Sequence, residues 1–173
     1  MLTLRPATAD DIPVILALIR ELADYEKLLH EVEATEPALR AALFGASPRV
    51  FADVAQWQDG SANAIVGFAL WFYTFSTFRG RHGIHLEDLF VRPNHRGRGI
   101  GRALLVNLAQ RCLREQLGRL EWSVLDWNAP SIAFYKKLGA VSHPEWVLQR
   151  VTGEALAQLV AQDIPVLRSP PRR

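Results

Sequence analysis

Residues 84–118, "IHLEDLFVRPNHRGRGIGRALLVNLAQRCLREQLG", place an apolar strand-like run, a turn with glycines at positions 97, 99 and 101, and a long amphipathic run in unbroken succession. Ile100, Leu104, Leu108 and Cys112 recur every fourth residue, the stripe of a helix packed on one side. Gly118 is a stop signal. "RLEWSVL" then reads as another strand. A strand, a helix and a second strand in this order form a crossover, which pairs the two strands in parallel. Upstream, "RVFADVA" and "AIVGFALWFYTF" are rich in β-branched and aromatic residues. The turn-forming "QWQDGSAN" between them predicts an antiparallel hairpin.

"LTLRPA" is a first strand. Thr8 to Asp11 offers a capping box, and Ile12, Ile15, Leu16, Ile19, Leu22 and Ala23 carry helical spacing to about Tyr25. Pro13 sits in the first turn, where a missing N–H costs least. "ATEPALRAALFG" is a second helix, capped by Thr35 and stopped by Gly45. "NAPSIAFYKKLG" is a third short helix after the long one, with Asn128 as cap, Pro130 near its start and Gly139 at its end. "EWVLQRV" is expected as a last strand and "GEALAQLVAQ" as a last helix. The order β-α-α-β-β-β-α-β-α-β-α predicts the α/β class, a mixed, mostly antiparallel sheet with helices on both faces.

A chain of 173 residues suits one domain over 1–173, with the tail "RSPPRR" at 168–173 expected to fray. Hydrophobic residues make up 49% of it, which excludes a disordered chain. No apolar run approaches the roughly 18 to 20 residues of a membrane span, and no signal peptide is read at the start. With one cysteine no intrachain disulfide forms, so a reducing, cytoplasmic setting is expected, with no membrane partner. A net charge of +2 and tryptophans that do not interleave with a basic stripe give no support for nucleic acid.

The glycine turn carries chemistry. A helix N-terminus exposes unpaired N–H groups and partial positive charge, and glycine lets a ligand reach the backbone. Arg96, Arg98 and Arg102 add charge around Gly97, Gly99 and Gly101. A flexible surface turn is one reading. A dinucleotide fingerprint is a second, but Arg102 stands where its third glycine belongs, and Glu121 starts its strand where a ribose-binding acid would end it. A P-loop lacks its Gly-Lys-Ser/Thr. A different phosphate-bearing cofactor is the remaining reading.

Arg96-Gly97-Arg98-Gly99-Ile100-Gly101 resembles the Gln/Arg-x-x-Gly-x-Gly/Ala signature of the GNAT N-acetyltransferases, which cradle the pyrophosphate of acetyl-coenzyme A. With "LRPATADD", "LIRELADYE", "IVGFALWFYTF", "HLEDLFVRPNHRGRGIG" and "WNAPSIAFYKKLGA", the chain is similar to the diamine acetyltransferase branch, the spermidine/spermine N1-acetyltransferases and their thialysine-acetylating relatives. The resemblance implies a seven-stranded sheet splayed between its fourth and fifth strands, here "IHLEDLFV" and "RLEWSVL". The cofactor would lie in that gap against Leu89, Phe90, Val91, Arg96, Gly97, Arg98, Gly99, Ile100, Gly101, Arg102, Asn128, Pro130 and Ser131. It also implies a homodimer, a small-molecule primary amine as acceptor, and no metal.

Acetyl transfer to an amine must take a proton from the ammonium and give one to the departing thiolate. Tyr135 reads either as a core aromatic or, at the position of the family's general acid, as the donor to sulfur. Glu87 and Asp88 interrupt an apolar strand. Strand alternation sends them to opposite faces, so one of them faces a packed or ligand-lined side. An arginine-paired structural carboxylate is one explanation; the resemblance places a proton-relaying glutamate at Glu87, which would also hold a cationic substrate. Tyr25 and Glu26 end the first helix. They are a solvated terminus or, by resemblance, the lining of the amine site. Ser76 and Phe78 replace an acid and a tryptophan of polyamine acetylators, and Glu145 aligns loosely with another substrate-binding acid. Cys112 belongs to the helix stripe, and His82 with His85 lacks a third metal ligand. A protein or peptide lysine acetyltransferase and a non-catalytic acyl-CoA-binding module are the alternative functions.

Overall fold

The computed structural model describes residues 1–162. They fall in two compact units divided between Phe134 and Tyr135. The first unit carries one sheet in the order β1-β2-β3-β4-β5. Its strands are β1 (Leu2–Pro6), β2 (Phe51–Asp59), β3 (Ala62–Ser76), β4 (Arg81–Val91) and β5 (Leu120–Trp122). The helices are α1 (Ile12–Tyr25), α2 (Glu36–Phe44), α3 (Ile100–Arg114), α4 (Ala129–Lys137), which begins in the first unit, and α5 (Glu154–Ala161) in the second. β1 to β4 pair antiparallel in succession and β5 joins β4 in parallel. This is the mixed α/β sheet expected from the sequence.

The entry to α1 is held by charge. Arg5 clasps Asp11 through two hydrogen bonds of 2.7 and 2.9 Å, and the Thr8 N–H and hydroxyl donate to the same carboxylate at 2.7 and 3.0 Å. Chiefly the Arg5 bond, and then those of Thr8, pull the Asp11 pKa down to about 2. α1 then buries Ile12, Ile15 and Leu18 completely against Ala52, Val54, Phe68, Leu70 and Phe90 of the sheet. Each such side chain contributes about 1.5–3 kcal/mol. α3 packs the opposite face with Ile100, Leu104, Leu108 and Cys112. On that side the Arg111 guanidinium lies 4.8 Å from the Trp71 ring, and the Trp71 indole donates to buried Asp53 at 2.9 Å.

The structure corrects several expectations. The hairpin connection is only Gly60 and Ser61, because residues 56–59 pair with residues 62–65 and satisfy their backbone groups in the ladder. β5 is three residues, not seven. "EWVLQRV" is not a strand, and Trp146, Val147 and Leu148 are 76%, 74% and 73% exposed. A strand-like segment becomes a strand only where a neighbour takes its backbone hydrogen bonds. Among the described residues the sheet has five strands, not the seven implied by resemblance. The expected frayed tail lies outside the described residues.

Candidate functional site

β4 is longer than its parallel neighbour. Pairing with β5 covers only Ile84–Leu120, His85–Glu121 and Leu86–Trp122, while β3 accompanies β4 as far as Val91. Among the described residues β4 therefore has no strand partner on its β5 side from Glu87 onward, and the sheet opens there. Leu89, Phe90 and Val91 form the end of that free stretch.

The chain leaves β4 through a short 3-10 turn, Pro93–His95, and reaches the glycines. Gly97 and Gly99 have φ of 75° and 79°, a region that side chains with a Cβ avoid. Gly99 is the N-cap of α3, and the first helical bond runs from the Ala103 N–H to the Gly99 carbonyl at 2.9 Å. The N–H groups of Ile100, Gly101 and Arg102 have no acceptor within the helix. A Cβ on Gly97 or Gly99 would meet nothing within 4 Å, and one on Gly101 only Phe134 at 3.7 Å and Val91 at 3.9 Å. The protein's own packing therefore does not demand glycine at these places; open space lies in front of them. Ile100 is buried, whereas Arg102 is exposed. Arg96 donates to the Val91 carbonyl at 2.9 Å and lies over the rings of Tyr25 and Phe90 at 5.1 and 5.5 Å. Arg98 lies over Trp57 at 5.0 Å.

The carboxylates sit where the β3–β4 ladder slips. Leu70 pairs with Asp88 and Trp71 with Leu86, leaving Glu87 as an extra residue. Such a bulge breaks alternation. Asp88 thus shares the α1 side of the sheet with Leu70, and Glu87 shares that side with His85, whose ring stacks on Phe72 and approaches Glu87 at 3.7 Å. The expectation that Glu87 and Asp88 face opposite ways is wrong for this reason. Glu87 is exposed and Asp88 half-buried. Burial, then the charges of Glu87 and Glu26, push the Asp88 pKa up to about 7. Burial also raises the pKa of Glu26, the residue that caps the C-terminus of α1.

Beside Glu26, the Tyr25 hydroxyl donates to Asn128 Oδ1 at 3.2 Å. The same oxygen accepts from the Ser131 N–H at 3.3 Å, capping α4, and Pro130 is exposed in its first turn. α4 extends to Lys137 and so carries Tyr135, which is half-buried. The structure thus brings together Tyr25, Arg96 and Asn128 on one side and Glu26, Glu87 and Asp88 on the other. Sequence reasoning gave Asp88 no role and did not foresee the Tyr25–Asn128 link; paired carboxylates inside an apolar strand were the available signal for the first. Phe78 is 96% exposed at the β3–β4 turn. Glu145 is exposed and pairs with His143 at 3.0 Å, which lowers its pKa. Cys112 is buried in the α3 stripe. Among the described residues no group of three or more His, Cys, Asp or Glu could hold a metal ion, and no helix is long and apolar enough to cross a membrane.

Residues 16–140 match the Acetyltransferase (GNAT) family. The chain is 39% identical to the thialysine N-epsilon-acetyltransferase of Bos taurus, over 92% of this chain and 97% of that protein. It is 31% identical to an L-ornithine N5-acetyltransferase of Arabidopsis thaliana, over 88% and 85% respectively. In fold it resembles an integron cassette protein from the mobile metagenome of V. cholerae, with a TM-score of 0.75 and 24% identity, covering 93% of this chain and 98% of that one. An aminoglycoside acetyltransferase from an uncultured soil metagenomic sample, solved with sisomicin, superposes with a TM-score of 0.71 at 16% identity, covering 87% and 95%.

Proposed function

Because the chain belongs to the GNAT acetyltransferase family, we propose that it transfers the acetyl group of acetyl-CoA to a primary amine of a small molecule, a diamine, polyamine or lysine-like amino acid, by direct attack. The observation that carries this reading is the open, glycine-lined N-terminus of α3 beside the unpaired end of β4. Diphosphate oxygens fit the free N–H groups there, with Arg96, Arg98 and Arg102 adding charge. The pantetheine arm has the unpaired backbone of Leu89–Val91 as a hydrogen-bonding edge. Asn128, Pro130 and Ser131 complete the cofactor side. The relatives named for thialysine and ornithine support a short acceptor with a second charged group.

Tyr25, Glu26 and Glu87 line the acceptor side. A carboxylate-rich wall holds an ammonium group through charge-assisted hydrogen bonds. Glu87, exposed at the bulge, relays the proton to solvent. The neutral amine attacks the thioester carbonyl, the C–S bond breaks, and Tyr135 protonates the departing sulfur. Two protons leave the nitrogen, one replaces that of Tyr135, and the net release is one proton per turnover. The protein acts as one domain, without a metal and without nucleic-acid or membrane partners. Its lone buried Cys112 suits the reducing cytoplasm, and the exposed Trp146, Val147 and Leu148 support a homodimer that covers them.

Two variants test this. Gly99→Asp places a carboxylate where the diphosphate would sit, and it should abolish the rise in Tm that acetyl-CoA gives the wild type. Tyr135→Phe should keep that rise and lose about 10²- to 10⁴-fold in kcat. Wild-type behaviour of both variants would reject the site.

A further inference from the structure

β1 stops at Pro6, which pairs with Asp53, and beyond it the Ala7 N–H reaches the Ala52 carbonyl at 2.8 Å. Among the described residues Phe51 therefore has no partner on the β1 side. A cavity of about 140 Å³ opens there, against the end of α2. Four aromatic rings wall it, those of Phe44, Phe51, Trp71 and Tyr73. Phe51 stacks on Trp71 at 4.7 Å, and Tyr73 meets the two rings edge-on at 5.6 and 5.3 Å. Its charged lining residues are Asp53 and Arg111. Both lie on the α3 side of the sheet, away from Asp88, and Arg111 stands in the last turn of α3, about 18 Å along the helix from Gly99.

These two charges attract but do not meet. Arg111 acts on Asp53 electrostatically, yet among the described residues no ion pair joins Asp53 to a cation. Arg111 spends Nη1 on Glu115 at 3.0 Å, and its Nε is buried with no acceptor. Asp53 is 3% exposed and takes the Trp71 indole N–H on Oδ2 at 2.9 Å. Burial raises its pKa more than Trp71, Arg111 and Asn107 lower it. The cavity thus presents one buried donor without an acceptor and one buried acceptor with lone pairs to spare, both of which cost stability unless met. An ammonium ligand would suit Asp53 and be repelled by Arg111, and a carboxylate ligand the reverse. A neutral group carrying one acceptor and one donor meets both, and a secondary amide is such a group. Apolar walls with a few convergent polar groups are the ordinary make-up of a small-molecule site.

We propose that this cavity is a second small-molecule site and that its ligand is a secondary amide. The amide carbonyl accepts from Arg111 Nε–H, the amide N–H donates to the Asp53 carboxylate, and the alkyl ends lie against the rings. The volume agrees, since a cavity of about 150 Å³ admits benzene, and N-ethylacetamide is of similar size. The amide class rests on the cavity alone. That an N-acetylated amine, the product of the proposed reaction, belongs to this class rests on the acetyltransferase reading.

The experiment follows the Trp71 indole N–H resonance by NMR while N-ethylacetamide, n-butylammonium or butyrate is added. The amide should shift it saturably, with a midpoint of about 1–10 mM. The cation and the anion should bind at least about tenfold more weakly, because one meets Arg111 and the other Asp53. Arg111→Met removes the donor but keeps an apolar stem over Trp71, and it should weaken the amide about tenfold. Ala7→Leu fills the cavity, which Ala7 also lines, and should abolish the shift. The indole resonances of the remaining tryptophans report whether each variant is folded, and Arg111→Met carries the decision if Ala7→Leu is not. Tighter binding of butyrate or of n-butylammonium than of the amide would overturn the amide assignment. A resonance unmoved by all three probes would leave only water in the cavity and overturn the site. So would amide binding at wild-type strength in folded Arg111→Met. None of these outcomes requires acetyl transfer, so a protein that acetylates no amine would lose the acetyltransferase reading and leave this result standing.

Discussion

The Tyr25 hydroxyl donates to Asn128 Oδ1 at 3.2 Å, tying the end of the first helix to the cap of the fourth across 103 residues of sequence. Arg96, from the glycine turn, stacks on the same tyrosine ring. One side chain thus joins the end of α1, the glycine turn and the start of the helix that carries Tyr135. Tyr25→Phe removes only the hydroxyl and should cost about 0.5–1.5 kcal/mol of stability. Asn128→Ala loses the cap as well and should cost about 1–2 kcal/mol or more. Urea midpoints of the two variants check the order.

Gly101 separates a packing role from a ligand role. Its φ is not positive, and a methyl group there would make only ordinary contacts with Phe134 and Val91. Gly101→Ala should therefore leave the Tm of the free protein nearly unchanged while weakening acetyl-CoA by about tenfold or more, the effect of losing about 1.4 kcal/mol of close backbone contact. Gly99→Ala, at φ 79°, should be strained even without ligand and lower the Tm of the free protein. Thermal melts with and without acetyl-CoA distinguish the two cases.

Helices were the legible part of this chain. The i, i+4 stripe from Ile100 to Cys112 and the run from Ile12 to Tyr25 carry their period and their caps locally, and α1 has the predicted limits. The strands were legible as segments but not as a ladder. The slip at Leu70–Trp71 is a property of the pairing of β3 with β4, so nothing within "HLEDLFV" shows that Glu87 and Asp88 share a face. The same holds for "EWVLQRV", whose apolar Trp146, Val147 and Leu148 read as a strand segment and whose chain nevertheless forms no strand. The glycine turn was legible because φ, missing side chains and charge are written in its residues. The Tyr25–Asn128 link was not, because its partners are remote in sequence and ordinary in type.

Asp11 should mark the acid limb of stability. Its pKa in the folded protein, about 2, lies below the unfolded value, so the clasp with Arg5 stabilises fully above about pH 4 and is lost as pH falls toward 2. The shift corresponds to about 2 kcal/mol. Asp11→Asn should lower stability by about that amount at pH 7 and flatten its pH dependence between about pH 4 and 2. Chemical denaturation over that range tests it.

Asp88 has the opposite sign. Its pKa in the folded protein, about 7, lies above the unfolded value, so the native state keeps a proton that the unfolded chain has released. The stabilisation is fully present below about pH 4 and is lost as pH rises through 7. Asp88→Asn should therefore gain up to about 4 kcal/mol at about pH 8 and little at about pH 4, together with a loss of activity. A variant that is more stable at the higher pH and less active would mark a group held in place for function. Equal stability of variant and wild type at both pH values would refute the shift.

Thiol release from acetyl-CoA, measured with thialysine, ornithine, a short diamine and spermine, decides whether the protein acetylates a short amine. Ser76 and Phe78 bring no carboxylate to the β3–β4 turn, so a long polycation would find no added charge there. Each turnover should give one thiol and one N-acetylated product, with kcat/KM for the short acceptors at least equal to that for spermine. Binding of acetyl-CoA with no thiol released by any of the four amines would contradict it.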